Sequence, residues 1–159
     1  MGKILGGALL AACIAMPLAA QDLLGARTFV AQLYIKEINN RHFSFVSPRL
    51  LTADLYDLAQ SGVADIGYDP LCQCRSNDGL SAQILSVVGT DKQAVARLLL
   101  RFDADRAAPP ERVTLLLTRI SLAGWKIADI QSARMPSLKA WLQKRQRGGG
   151  HPPGIARAH

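Results

Sequence analysis

The chain has 159 residues, of which 49% are hydrophobic and 19% are charged. This composition suits one modest domain with a hydrophobic core, and it excludes a chain that is too polar to fold. The formal net charge of +7 suggests a nucleic-acid or membrane partner. However, residues 21–130 carry 12 basic and 12 acidic side chains, so the excess lies at the ends of the chain and mainly after Asp129. A neutral central part argues against nucleic acid as a partner.

The first 20 residues have the features of a secretory signal peptide. Lys3 precedes an apolar run from Ile4 to Met16, and Ala19 and Ala20 offer a small-residue cleavage site. The run is shorter than the roughly 20 residues that a bilayer span needs. We expect residues 1–20 to be removed on export to the periplasm.

A lipid anchor is the alternative for the same segment. The stretch "LAAC", ending at Cys13, resembles a bacterial lipobox. Lipidation of Cys13 would hold the protein in the cell envelope.

Two helices are predicted before the cysteines. Residues 22–40 have polar side chains on one stripe, which is typical of an amphipathic helix with a wide buried face. Ser47 and Pro48 have the features of an N-cap and a first helical residue, and Gly62 is placed to end that second helix. Its apolar positions are Leu51, Leu55 and Leu58.

The pattern changes to a period of two after the cysteines. Strands are predicted over residues 80–89, 94–103, 112–122 and 125–130, joined by short turns, which indicates an antiparallel meander. In the second strand Arg97, Arg101 and Asp103 share one face with Val95 and Leu99. Pro136 and Ser137 start a short final helix with Leu138, Trp141 and Leu142. Residues 143–159 form a basic, Gly/Pro-rich tail that we expect to be disordered.

These elements predict a single α+β domain over residues 21–142. Its N-terminal helices pack on one face of a curved four-stranded sheet. Two short motifs, "DPLCQC" (Asp69 to Cys74) and "GWKIADI" (Gly124 to Ile130), with "SLKAWL" after them, resemble the exported bacterial family called domain of unknown function 3828. The resemblance implies a cone-shaped cystatin-like, or nuclear-transport-factor-like, fold. It implies no activity, because proteins of that fold include both enzymes and binding domains.

Cys72 and Cys74 are the candidate reactive or structural pair. In an exported protein a local disulfide is the default, and it would shape the loop more than it would stabilise the fold. Redox activity is the alternative, although the Cys-x-x-Cys spacing is absent. A metal site would recruit both cysteines together with Asp65, Asp69, Asp78 or His42. The sequence lacks the two spaced pairs of ligands that are typical of structural zinc.

Other candidate contact residues are Tyr34, Asp69, Trp125, Asp129 and Trp141. An acid or base inside a cone cavity could support isomerase-like chemistry, with Asp54, Asp57 and Tyr56 as further candidates. Trp125 and Trp141 could line a ligand pocket, or they could belong to the core. We predict no catalytic residue.

The basic C-terminus gives a possible membrane contact. Lys139, Lys144, Arg145 and Arg147 could meet anionic lipid headgroups or an acidic envelope protein. They could equally complement the C-terminal dipole of the last helix.

Together these features predict an exported, periplasmic and non-catalytic binding or envelope-interaction module. The predicted partner is an unknown envelope protein or a small ligand, and we expect no cofactor, metal or nucleic acid. The alternatives are an isomerase-like cone protein and a thiol-active protein that uses Cys72 and Cys74.

Overall fold

The computed structural model describes residues 18–38, 44–62, 66–75, 79–103 and 108–148. The protein is α+β, with three α-helices and one four-stranded sheet among these residues, as predicted. The helices are α1 (Leu18–Gln32), α2 (Ala53–Gly62) and α3 (Leu138–Gln146). The strands are β1 (Leu80–Gly89), β2 (Gln93–Phe102), β3 (Glu111–Ile120) and β4 (Gly124–Ser132).

The four strands form an antiparallel meander in the order β1-β2-β3-β4. Each strand begins and ends within two residues of its predicted bounds. The β3–β4 turn is the main local difference, because β3 ends at Ile120 and Leu122 lies in the turn with a φ of 67°. A left-handed backbone is unusual for leucine. The side chain of Leu122 is fully exposed there.

One face of the sheet carries the core. The side chains of Ala94, Ala96, Leu98 and Leu100 on β2 are buried, while the residues between them are exposed or half-buried. Helix α1 packs against the sheet, and its Ala26 and Val30 are fully buried. The alternation along the strands therefore separates an inner, helix-covered face from an open outer face.

The second helix begins later than predicted. Ser47 caps a turn instead: its hydroxyl accepts a hydrogen bond from the backbone N–H of Arg49 (3.3 Å), and its carbonyl accepts from Leu51 N–H (2.9 Å). The chain then pairs in parallel with β4, where Thr52 N–H donates to the carbonyl of Ile127 (2.9 Å). Helix α2 starts only at Ala53, because residues 50–52 are held along the edge of β4.

The first helix starts earlier and ends differently from the prediction. Helix α1 gives way to a π-helical turn at Leu33–Glu37, which closes with a hydrogen bond from Ile38 N–H to the carbonyl of Leu33 (3.0 Å). Cleavage after Ala20 would remove the first three residues of α1 and keep Ala26 and Val30, which are buried.

Helix α3 starts as predicted. The hydroxyl of Ser137 accepts a hydrogen bond from Ala140 N–H (3.0 Å) and so acts as the N-cap. The helix ends at Gln146, so residues 143–146, which were predicted to belong to the disordered tail, are helical. The signal segment before Leu18, Cys13 included, and the tail after Gly148 lie outside the described residues. Within the described ranges no helix is both long and apolar enough to cross a membrane.

Candidate functional site

The cysteine loop, residues 68–75, is a tight turn with a close pair of sulfur atoms. Cys72 and Cys74 lie within bonding distance of each other, with their Cα atoms 5.1 Å apart. Asp69 N–H donates to the carbonyl of Cys74 (2.8 Å), and Gln73 N–H donates to the carbonyl of Asp69 (2.8 Å). Gln73 has a φ of 58°, which the short turn between the cysteines imposes.

This loop is fixed to the helical layer by Tyr34. The Tyr34 hydroxyl donates to the carbonyl of Leu71 (2.7 Å), and the Leu71 side chain is fully buried. The Asp69 carboxylate accepts from Leu71 N–H (2.7 Å). Burial raises the pKa of Asp69, although backbone hydrogen bonds from Leu71 and Cys72 oppose the shift. Burial, and then the charge of Asp69, raise the pKa of Tyr34.

The arrangement favours a structural role for the loop. Cys72 is almost completely buried and Cys74 is half-buried, so an attacking thiol has little access to the sulfur of Cys72. Among the described residues no group of three or more metal-ligating side chains is placed to hold a metal ion. His42, Asp65 and Asp78, the other metal candidates, lie outside the described residues.

Asp129 holds the start of helix α3. A bulge in β4 opposite Leu116 and Leu117 precedes it, and its side chain is 7% exposed. One carboxylate oxygen accepts from the Ser137 hydroxyl (2.7 Å), and the other accepts from Lys139 N–H (2.9 Å) and Ile130 N–H (2.9 Å). The carboxylate thus satisfies donors at a helix N-terminus. No local pattern in the sequence predicts this contact, because Ser137 and Lys139 lie eight and ten residues further along the chain.

Helix α3 uses its apolar face inside the protein. Leu138 and Leu142 are fully buried, and the guanidinium of Arg145 lies 5.4 Å from the ring centre of Trp141. This geometry is that of a cation–π contact. Trp141 is half-buried, and Lys144 and Arg147 are exposed. The membrane contact predicted for the basic C-terminus stays a prediction.

Lys139 is also engaged, in a salt bridge with Asp54 on α2. Partial burial alone would raise the pKa of Asp54. The hydrogen bonds from Lys139 and Thr52 and the charge of Lys139 outweigh this effect and lower the pKa. Lys139 therefore joins α3 to α2. Both side chains are partly exposed, so the pair contributes little to stability.

A cleft beside Trp125 combines apolar side chains with one cation among its described lining residues. It has a volume of about 570 Å³ and lies between α1, the β3–β4 turn and Arg49. Trp125, only 7% exposed, forms its floor, and Leu24, 60% exposed, stands at its rim. A Cβ atom on Gly25 would lie 3.3 Å from the indole nitrogen of Trp125. Glycine at this position therefore lets α1 approach the indole closely.

The described lining residues of the cleft supply apolar surface and one cation but no group for proton transfer. Leu24, Phe29 and Trp125 supply apolar surface. Arg49 is the one ionisable side chain among the lining residues. Lys126 Nζ donates to the Pro48 carbonyl (2.8 Å) and to that of Arg49, which fixes the backbone that carries the guanidinium. The uncharged polar side chains that line the cleft are those of Thr28 and Gln32.

Of the predicted contact residues, the fold brings Tyr34 and Asp69 together at the cysteine loop and places Trp125 in the cleft. Asp129, on β4, contacts the N-terminus of helix α3, and Trp141 lies in the first turn of that helix and contacts Arg145. Sequence reasoning missed Gly25 and Arg49, because only the packing of α1 beside the β3–β4 turn joins them to Trp125. Comparison with protein-family models, with characterised proteins and with solved structures finds no match.

Proposed function

We propose that this protein is an exported, non-catalytic binding module of the cell envelope that holds an amphipathic anion in the Trp125 cleft. The observation that carries the proposal is the cleft itself, which has apolar walls and, among its described lining residues, one cation, Arg49. Removal of residues 1–20 on export, a periplasmic location, membership of the domain of unknown function 3828 family and the cystatin-like form of the sheet belong to the same proposal. Their support is the signal-like N-terminus, the two quoted motifs and the helices on one sheet face.

The ligand class follows from the lining. A cleft of about 570 Å³ lies within the usual size range of small-molecule sites, roughly 300–1,000 Å³. Its apolar walls favour an aliphatic or aromatic body, and the guanidinium favours a carboxylate or phosphate, which it can bind through two parallel hydrogen bonds. A short fatty acid has both parts.

Catalysis has no comparable support. General acid–base chemistry needs a carboxylate, histidine or similar group within hydrogen-bond reach of the substrate. Among the described residues that line the cleft there is no such group. The buried carboxylate of Asp129 is occupied by helix α3, and Cys72 is buried.

Decanoate titration of the full chain tests the proposal. Trp141→Phe leaves Trp125 as the only indole, so its fluorescence reports on the cleft. We expect saturable decanoate binding that Arg49→Gln weakens about tenfold, the equivalent of a charge-assisted hydrogen bond of about 1.5 kcal/mol. Arg27→Gln is the matched control, because Arg27 is exposed on α1 and does not line the cleft.

Decanol, which has the same chain without the charge, should bind wild type and Arg49→Gln equally. A fluorescence response that is absent, or that Arg27→Gln and Arg49→Gln weaken alike, would rule out the cleft as the anion site. Intact mass of the protein from a periplasmic fraction tests export separately. A chain starting at Gln21 supports it, a chain starting at Met1 contradicts it, and a lipid on Cys13 selects the anchored alternative.

A further inference from the structure

The open face of the sheet carries three arginines that the strand register brings together. Arg97 and Arg101 lie on β2 on either side of Leu99, and Arg112 of β3 is paired directly with Leu99. Four residues along a strand span about 13 Å and neighbouring strands lie about 4.8 Å apart, so the three guanidiniums surround one aliphatic side chain. We call this surface the arginine face.

The three cations are exposed and have no partner within the protein as described. None of them forms a side-chain hydrogen bond or salt bridge with another residue in the described ranges. Asp103 follows Arg101 at the end of β2, and Asp129 on β4 is buried against α3. The arginine face is therefore net positive, although residues 21–130 sum to zero charge.

Aliphatic side chains continue the same face. Val95 and Leu99 on β2 and Leu116 on β3 are only half-buried, because no described helix covers them. At the sheet edge, Leu85 and Val88 of β1 are each 48% exposed. The register pairs Val88 with Val95 and Val95 with Leu116, so an apolar row lies beside the arginines.

We propose that the arginine face docks on an anionic phospholipid surface. Cations bordered by exposed aliphatic side chains match the charge and apolar boundary of a bilayer surface. A single-stranded nucleic-acid platform would need aromatic rings for stacking, and the residues of β1, β2 and β3 on this face include none. The site is separate from the Trp125 cleft and from the basic C-terminus.

Vesicle binding tests this assignment. The probe is vesicles of about 30% phosphatidylglycerol in phosphatidylcholine, mixed with the full chain at low and high salt. A basic side chain near such a surface contributes about fivefold to partitioning, so Arg97→Gln, Arg101→Gln and Arg112→Gln together should lower the partition coefficient roughly 100-fold. Circular dichroism checks that the variant is folded.

The matched control removes the same charge elsewhere, with Arg27→Gln, Lys144→Gln and Arg147→Gln. All three of those side chains are exposed away from the arginine face. We expect this control to keep at least a tenth of wild-type partitioning. An equal loss in both triple variants would overturn the proposal in favour of general charge attraction. Binding to poly-glutamate but not to the vesicles would overturn it in favour of an acidic protein partner.

Discussion

Replacing Asp129 by alanine tests whether its carboxylate holds the start of helix α3 against strand β4. The carboxylate accepts hydrogen bonds from Ser137, Lys139 and Ile130, and the residue is 7% exposed. Alanine would leave these donors without their acceptor and would remove the contact that joins β4 to the first turn of α3. Because Leu138 and Leu142 fill the core from that helix, its detachment would also expose apolar surface.

The expected cost follows from the three contacts. A hydrogen bond to a charged group contributes about 1.5–3 kcal/mol, and a cap contact at a helix N-terminus contributes about 1 kcal/mol. Allowing for partial rescue by water, we expect Asp129→Ala to lower the free energy of unfolding by about 3 kcal/mol. Asp129→Asn keeps one acceptor oxygen and should cost about 1 kcal/mol.

Urea unfolding followed by circular dichroism measures these values. Ser137→Ala should cost about 2 kcal/mol, since it removes both the N-cap and the partner of Asp129. The double variant should then show a coupling energy of about 1 kcal/mol or more between the two side chains. A loss below about 1 kcal/mol in Asp129→Ala, or additive single effects, would refute the assignment of Asp129 as the anchor of α3.

Three further predictions concern the loop and the cleft. Thiol titration of the unfolded, unreduced mature protein should find no free thiol, whereas two titratable thiols would show that the pair is reduced. Replacing Cys72 and Cys74 by serine should lower the free energy of unfolding by only about 1.6 kcal/mol. Gly25→Leu should abolish decanoate binding, because its side chain meets the Trp125 indole and enters the cleft, while retained binding would place the ligand elsewhere. Burial raises the folded-state pKa of Asp69 above its unfolded value, so stability should fall as the pH rises from about 4 through that raised pKa. Asn at this position does not titrate, so the stability of Asp69→Asn relative to wild type should rise over the same pH range. A difference in unfolding free energy that stays constant with pH would contradict a raised pKa for Asp69 in the folded protein.

The strands could be predicted from the sequence because they depend on the local alternation of apolar and polar residues. The features that could not be predicted depend on contacts between residues far apart in the chain. The strands follow the period of two, which burial on β2 repeats. The predicted start of α2 was wrong, because Ser47 followed by Pro48 is typical of a turn as well as of a helix start. In the structure, residues 50–52 pair with Ile127, and this pairing favours the turn. In the same way Trp125 could be predicted as a pocket residue, but its neighbours Gly25 and Arg49 could not.

The distribution of charge over the surface also depends on the fold and cannot be read from the total charge of the sequence. A sum of zero over residues 21–130 suggests a surface without electrostatic preference. Strand pairing separates the signs, because Arg97 and Arg101 alternate outward on β2 and Arg112 joins them across the ladder. Among the described acids, Asp54 and Asp57 lie on α2, Asp69 and Asp91 lie in loops, and Asp129 is buried against α3. Attraction to an anionic surface decays within roughly 10 Å at moderate salt, so a partner at the open sheet face meets the local arginines and not the neutral total. For this reason the docking proposal rests on the register of β2 and β3, and a slip of one residue in that register would move Arg112 to the covered face.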